Sequence, residues 1–141
     1  MDVLAGILDD CILSGLEHDV SAFAMALLDV ADMRPSNYYI TRSEHRFTFG
    51  RCDLTVASFD TRHEILVIEC KSKGAREAAG VEQLFEYMVK CNFPHGFLMY
   101  PDRTIYFRQN EEGVPMKVRT YCHKNDLSDM LSQVRSFLVP R

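Results

Sequence analysis

An α/β fold, with a mixed central sheet flanked by helices, is predicted by three features of the chain. Two amphipathic helical patterns open it. β-prone segments then lie on both sides of a single helical pattern, and one more amphipathic helix follows the last of them. A length of 141 residues predicts one domain, 1–141, long enough for a real core.

Residues 2–14 carry Leu4, Ile7, Leu8, Cys11 and Ile12 at helical spacing, and Ser14-Gly15 breaks the pattern. A second helix is expected over 18–32, from Val20, Phe23, Ala24, Leu27, Leu28 and Ala31, with Pro35 closing the region. Tyr38 to Ile40 and Arg46 to Phe49 are β-prone, either a strand pair or one broken strand. Cys52 to Phe59 and Glu64 to Lys71 predict an antiparallel hairpin around the polar turn Asp60-Thr61-Arg62-His63. A helix over Arg76 to Cys91 is interrupted or initiated near Gly80, and Asn92-Phe93-Pro94-His95-Gly96 ends it. Short strands follow at Gly96 to Tyr100, Thr104 to Arg108 and Met116 to Tyr121. Asn125 or Asp126 caps the last helix, about 126–138, whose buried face is Leu127, Met130, Leu131, Val134, Phe137 and Leu138.

The formal net charge of -4 argues against a strongly basic nucleic-acid binder, so any such surface must be a local basic patch. Five cysteines, at 11, 52, 70, 91 and 122, form no CxxC pair. Their odd number predicts reduced, mostly buried thiols in an intracellular protein, cytoplasmic or nuclear, and disfavours a disulfide framework or a zinc site. Met1-Asp2 opens no basic leader, so no secretory signal is expected. No apolar run approaches the roughly 20 residues that span a bilayer, so no membrane partner is expected.

The chemistry concentrates in three short pieces. Ile65-Leu66-Val67-Ile68 carries no charge and predicts a strand buried on both sides. It ends in Glu69-Cys70-Lys71, and strand alternation puts Glu69 and Lys71 on one face with Cys70 on the other. A carboxylate and an ammonium at the end of such a strand are costly without partners. Asp53, in Gly50-Arg51-Cys52-Asp53 on the neighbouring strand, supplies a second carboxylate for a divalent cation. Gly50 has no Cβ and permits a tight turn or a close backbone approach beside Asp53. Gln83 and Tyr87, in Gln83-Leu84-Phe85-Glu86-Tyr87, share one helical face.

Taken in order, these pieces resemble the PD-(D/E)xK nuclease superfamily. The likeness is closest to its branch with Gly-x-x-Asp, Glu-x-Lys and Gln-x-x-x-Tyr motifs, seen in nuclease domains of recombination exonucleases. It covers roughly residues 17–108. Cys52 stands where the name motif has Pro, a position that varies within this branch. The resemblance implies a restriction-endonuclease-like fold and a nuclease that uses Mg²⁺ or Mn²⁺. It makes Asp53, Glu69 and Lys71 catalytic, and Asp53, Glu69 and the backbone carbonyl of Cys70 the metal ligands. Lys71 would orient or help deprotonate the attacking water. Gln83 would hydrogen-bond near the active site, and Tyr87 would support the site or touch the substrate strand. A further Glu or His from the helix before the first strand would join the site; Glu17 and His18 are the candidates, Glu17 favoured as an outer metal-site carboxylate, with Glu44 a weaker alternative.

Lys73, Arg76 and Lys90 are positioned in sequence to meet phosphates beside the site, and Arg42, Arg46, Arg51, Arg62 and Arg108 add positive charge nearby. The remaining histidines, 45, 63, 95 and 123, have no ligand spacing and are expected on the surface or in turns. The expected partner is nucleic acid, DNA in preference to RNA, and the chain acts as a homodimer or within a larger assembly. A cap-snatching type of RNA endonuclease would share the fold. The rival expectation is a catalytically inactive interaction subunit built on the same scaffold.

Overall fold

Six consecutive strands lie side by side in sequence order, β1 to β6, in one sheet. The computed structural model describes residues 2–47 and 50–138, with side chains for 3–44 and 53–138. Helices α1 (Asp2–Ser14) and α2 (Glu17–Val30) come first, and a 3-10 turn (Pro35–Asn37) leads to β1 (Tyr39–Phe47), β2 (Gly50–Ser58) and β3 (Glu64–Cys70). Helix α3 (Glu77–Lys90) precedes β4 (His95–Met99), β5 (Arg103–Gln109) and β6 (Pro115–Cys122), and α4 (His123–Arg135) closes the order. Among the described residues, only β3 and β4 pair in parallel. Parallel neighbours need a crossover, and α3 is that crossover. The predicted α/β architecture with a mixed sheet is therefore present.

The helices divide the apolar residues between two faces. Phe23, Leu27, Leu66, Ile68, Phe97, Tyr106 and Val134 pack under α1, α2 and α4. Val67, Leu84, Met88, Leu98, Ile105 and Phe107 pack under α3. Strand β3 is covered on both sides, which is why its sequence is a continuous apolar run rather than an alternating one. No helix among the described residues is long and apolar enough to cross a membrane.

Five expectations change. First, the segment Tyr38–Phe49 is not a strand pair: β1 is one strand through residue 47, and residues 48–49 lie outside the described residues. Ser43 pairs with Leu54 and His45 with Cys52, while Glu44 between them has φ 50°. Edge position lets the polar run Thr41–Glu44 stay in the strand. Second, α3 runs unbroken through Gly80, where an added Cβ would lie 2.9 Å from Leu98 Cδ1. That glycine serves close helix–sheet approach.

Third, α4 starts at His123, ahead of Asn125 and Asp126. Asp126 sits at a kink inside it, and its Oδ2 accepts a hydrogen bond from the Cys122 amide at 2.8 Å. Fourth, two of the histidines expected on the surface are largely withdrawn from it. His123 is fully buried, and His95 is partly buried with its Nδ1 2.7 Å from the Tyr106 hydroxyl. His63 is exposed as expected, and the side chain of His45 lies outside the described ones. Fifth, the thiols are mixed rather than mostly buried. Cys11 and Cys70 are buried, Cys91 is half-buried and Cys122 is exposed, and all four are free.

Candidate active site

The β2–β3 ladder pairs Thr55 with Val67 and Leu54 with Ile68. Continued by one residue, it sets Asp53 opposite Glu69. There the backbone pattern gives way to a side chain: Asp53 Oδ2 accepts from the Cys70 amide at 2.7 Å. Leu66, Ile68 and Cys70 belong to the face under α1 and α2, and Val67 to the face under α3. Alternation therefore turns Glu69 toward α3.

Glu69 is only 2% exposed, and its Oε1 has no hydrogen-bond partner among the described residues. Burial, and then the neighbouring Asp53 charge, push its carboxyl up to about 8, against the opposing pull of Lys71. Lys71 Nζ stands 3.9 Å from Glu69 Oε2 and donates a shorter bond, 2.8 Å, to Gln83 Oε1. The lysine is 20% exposed, so its ammonium sits at the boundary between the core and solvent. Gln83 reaches it from α3. One turn further on, Tyr87 is buried in the α3-side core, a supporting position.

Helix α2 approaches from the other side. Gly15, at φ 66°, turns the chain between α1 and α2, and its carbonyl accepts from the Lys73 amide at 2.9 Å. An added Cβ on Gly15 would lie 3.1 Å from Lys73 Cβ, so the turn is fitted closely to the segment that leaves β3. This registration sets Glu17 beside the site. Glu17, His18, Ser43, Glu44 and Asp53 line a common recess of about 330 Å³. Lys73 and Arg76 are exposed on the loop after Lys71. Lys90 is committed to an ion pair with Glu86, at 2.9 Å. Arg42 lies 3.9 Å from Glu64 and Arg62 lies over the Phe59 ring, while Arg108 is exposed on β5. The side chains of Arg46, Arg51 and Cys52 lie outside the described ones.

Among the described residues, no three His, Cys, Asp or Glu side chains form a ligand cluster. The donor set instead suits a hard cation that takes few carboxylates and completes its shell with carbonyl oxygen, water and phosphate. Two opposed carboxylates, one with an unpartnered buried oxygen, are the arrangement such a cation relieves. The Asp53 and Glu69 carboxylates are hard oxygen donors of the kind a divalent cation takes. The Cys70 thiol is buried in the opposite core and pushed up by that burial, away from this chemistry.

Sequence patterning missed two features. Gly80, three residues before Gln83, passes close over Lys71: an added Cβ would lie 3.5 Å from Lys71 Cε. Its only signal was a glycine inside a helical pattern. Ser43 faces the recess from a strand segment too polar to mark as β.

A family model described as the PD-(D/E)XK nuclease superfamily matches residues 21–94, just over half of the chain. The match spans Asp53, Glu69, Lys71, Gln83 and Tyr87 and leaves Glu17 outside. Neither a curated protein nor a solved structure matches the chain. Members of the superfamily are usually nucleases and typically use divalent metal ions. With a six-stranded mixed sheet and four helices among the described residues, in the restriction-endonuclease-like style, the chain belongs to the PD-(D/E)XK nuclease superfamily.

Proposed function

We propose that this chain is a divalent-metal-dependent nuclease that hydrolyses phosphodiester bonds, with DNA favoured over RNA. The observation that carries the reading is the buried, half-unpartnered Glu69 carboxylate opposite Asp53, with the Lys71 ammonium beside it. Folding alone does not call for that trio. The likeness of the motif set to recombination exonucleases supports DNA.

Asp53, Glu69 and the Cys70 carbonyl would hold the cation. When bound, it supplies a more acidic water and offsets charge developing on the phosphate. The other groups act directly. Lys71 has three N–H donors; one is held by Gln83, which leaves others for a phosphate oxygen or the attacking water. Glu17 adds an outer carboxylate on the recess it shares with Asp53. Lys73 and Arg76 would meet phosphates flanking the cut, and Tyr87 braces α3 behind Gln83. The chain would work as a homodimer or inside a larger assembly, and its free thiols suit a reducing, intracellular setting.

The test mixes purified protein with single-stranded, duplex and branched DNA and with RNA, in Mg²⁺ and in Mn²⁺. Metal-dependent cleavage lost on Asp53→Ala, Glu69→Ala and Lys71→Ala is expected. Identical behaviour of wild type and Lys71→Ala on every substrate would move the assignment to a non-catalytic interaction subunit.

A further inference from the structure

Pro35, Tyr38, Tyr39, Ile40, Thr41 and Phe59 enclose a recess of about 300 Å³ at the end of the β1–β2 pair remote from the carboxylates. Tyr39 pairs with Ser58 there, five residues along β2 from Asp53. At about 3.3 Å per residue, this is roughly 15–20 Å from the site.

Two aromatic rings at this recess are left in solvent: Tyr38 is 48% exposed and Phe59 47%. Their placement is enforced by the backbone. Tyr38 has φ 67°, a left-handed conformation that bulky residues seldom adopt. Hydrogen bonds on both sides hold it, from the Tyr38 amide to Pro35 O at 2.9 Å and from the Phe59 amide to Tyr38 O at 2.8 Å. Arg62, itself at φ 63°, lays its guanidinium over the Phe59 ring, 4.4 Å from the centroid. Strain kept at residues that do not fill the core points to a use for the rings.

The recess also connects to the site. It shares Pro35 and Thr41 with a second recess, which shares Met25 with the one lined by Glu17 and Asp53. The three form a track between α2 and the edge strand β1.

We propose that Tyr38, Phe59 and Arg62 form a stacking site for unpaired bases of a single strand whose scissile phosphate lies at Asp53 and Glu69. This rests on the nuclease reading above. Flat rings in a shallow, apolar recess suit a nucleobase, because every base has a π-face. The stacked guanidinium places a cation where the flanking phosphate runs, whereas Arg34 in the track is committed to Asp29 and Asp32. At about 3.4 Å per stacked nucleotide, the span corresponds to roughly five nucleotides.

Fluorescence anisotropy with labelled single-stranded DNA of graded length tests this, using Glu69→Gln protein so that nothing is cut. Affinity should rise once the strand exceeds about five nucleotides. Tyr38→Ser and Phe59→Ser should each weaken binding of long strands about tenfold, leave short strands unchanged and keep the thermal midpoint. Arg62→Gln should lower the salt slope by about one. Variants that bind every length as the parent does would overturn the stacking site, and if wild type still cleaves, the nuclease reading survives. A wild type that neither binds nor cleaves any oligonucleotide overturns that reading, and the stacking site with it.

Discussion

Lys71 is held by Gln83 more closely than by Glu69: its Nζ donates to Gln83 Oε1 at 2.8 Å and lies 3.9 Å from Glu69 Oε2. The neutral amide sets the direction of the ammonium without neutralising it, so its charge remains available to substrate. A hydrogen bond to a charged group contributes about 1.5–3 kcal/mol. Gln83→Leu should therefore lower kcat by about 10- to 100-fold with little change in KM, whereas Lys71→Ala should lose about 10²- to 10⁴-fold. Steady-state kinetics of both variants checks this. An unchanged kcat in Gln83→Leu would mean that the amide does not position the lysine.

Glu69 makes the metal testable without activity. Its side chain is buried and one oxygen has no partner among the described residues, so the cation-free protein bears a desolvation cost at this position. Glu69→Gln should raise the stability of that form by about 1–3 kcal/mol. Saturating Mn²⁺ should raise the melting temperature of wild type by several degrees, since a ligand at about 100 times its Kd adds about 2.7 kcal/mol. The variant should lose that response. Calorimetry with and without Mn²⁺ measures both effects, and an equal metal response in the two proteins would place the ion elsewhere.

Much of this site was legible because each piece carries a local pattern. The uncharged run Ile65–Ile68 marked a strand covered on both faces, and alternation then put Glu69 and Lys71 together. Helical spacing put Gln83 and Tyr87 on one face, but it could not distinguish a substrate contact from the bond to Lys71 that Gln83 makes. The bond from the Cys70 amide to Asp53 depends on where the β2–β3 ladder stops, which no residue type announces. Buried His123 was missed for a related reason. Its partners, Pro101 and Thr104, come from the β4–β5 turn and β5, and a lone histidine gives no sign of such distant bonds.

His123 also predicts a pH dependence of stability. Pro101 O only accepts, so His123 Nδ1 carries the proton and donates to it at 2.9 Å, leaving Nε2 to accept from the Thr104 hydroxyl. Burial lowers the imidazole to about 4 from its ordinary 6.5. Between those values the unfolded chain binds the extra proton and the folded one does not. Stability from this group is thus complete above pH 6.5 and declines as pH falls through 4, by about 3 kcal/mol in total. His95, also lowered to about 4 by burial, acts in the same direction. The raised Glu69 carboxyl gains a proton on folding over the same range and acts in the opposite direction, so the difference between wild type and His123→Gln is the quantity to read. Urea unfolding of both proteins should show that difference shrinking as pH falls from 7 to 4.5, and a difference independent of pH would contradict a neutral buried imidazole.

Gly80 tests whether helix–sheet spacing governs the lysine. An alanine there favours the helix by roughly 0.5–1 kcal/mol. Yet its Cβ would lie 2.9 Å from Leu98 Cδ1 and 3.2 Å from Cδ2, both in a filled core, so α3 must lift or Leu98 must turn. If α3 lifts, the Gln83–Lys71 bond lengthens while the core loses little. Gly80→Ala should then reduce kcat about tenfold at a nearly unchanged melting temperature, on the scale of one weakened hydrogen bond. Adding Leu98→Val makes room beneath the new methyl and should restore most of the rate. Kinetics and melting curves for the single and double variants decide the matter, because a double variant as slow as Gly80→Ala would show that the loss does not pass through α3.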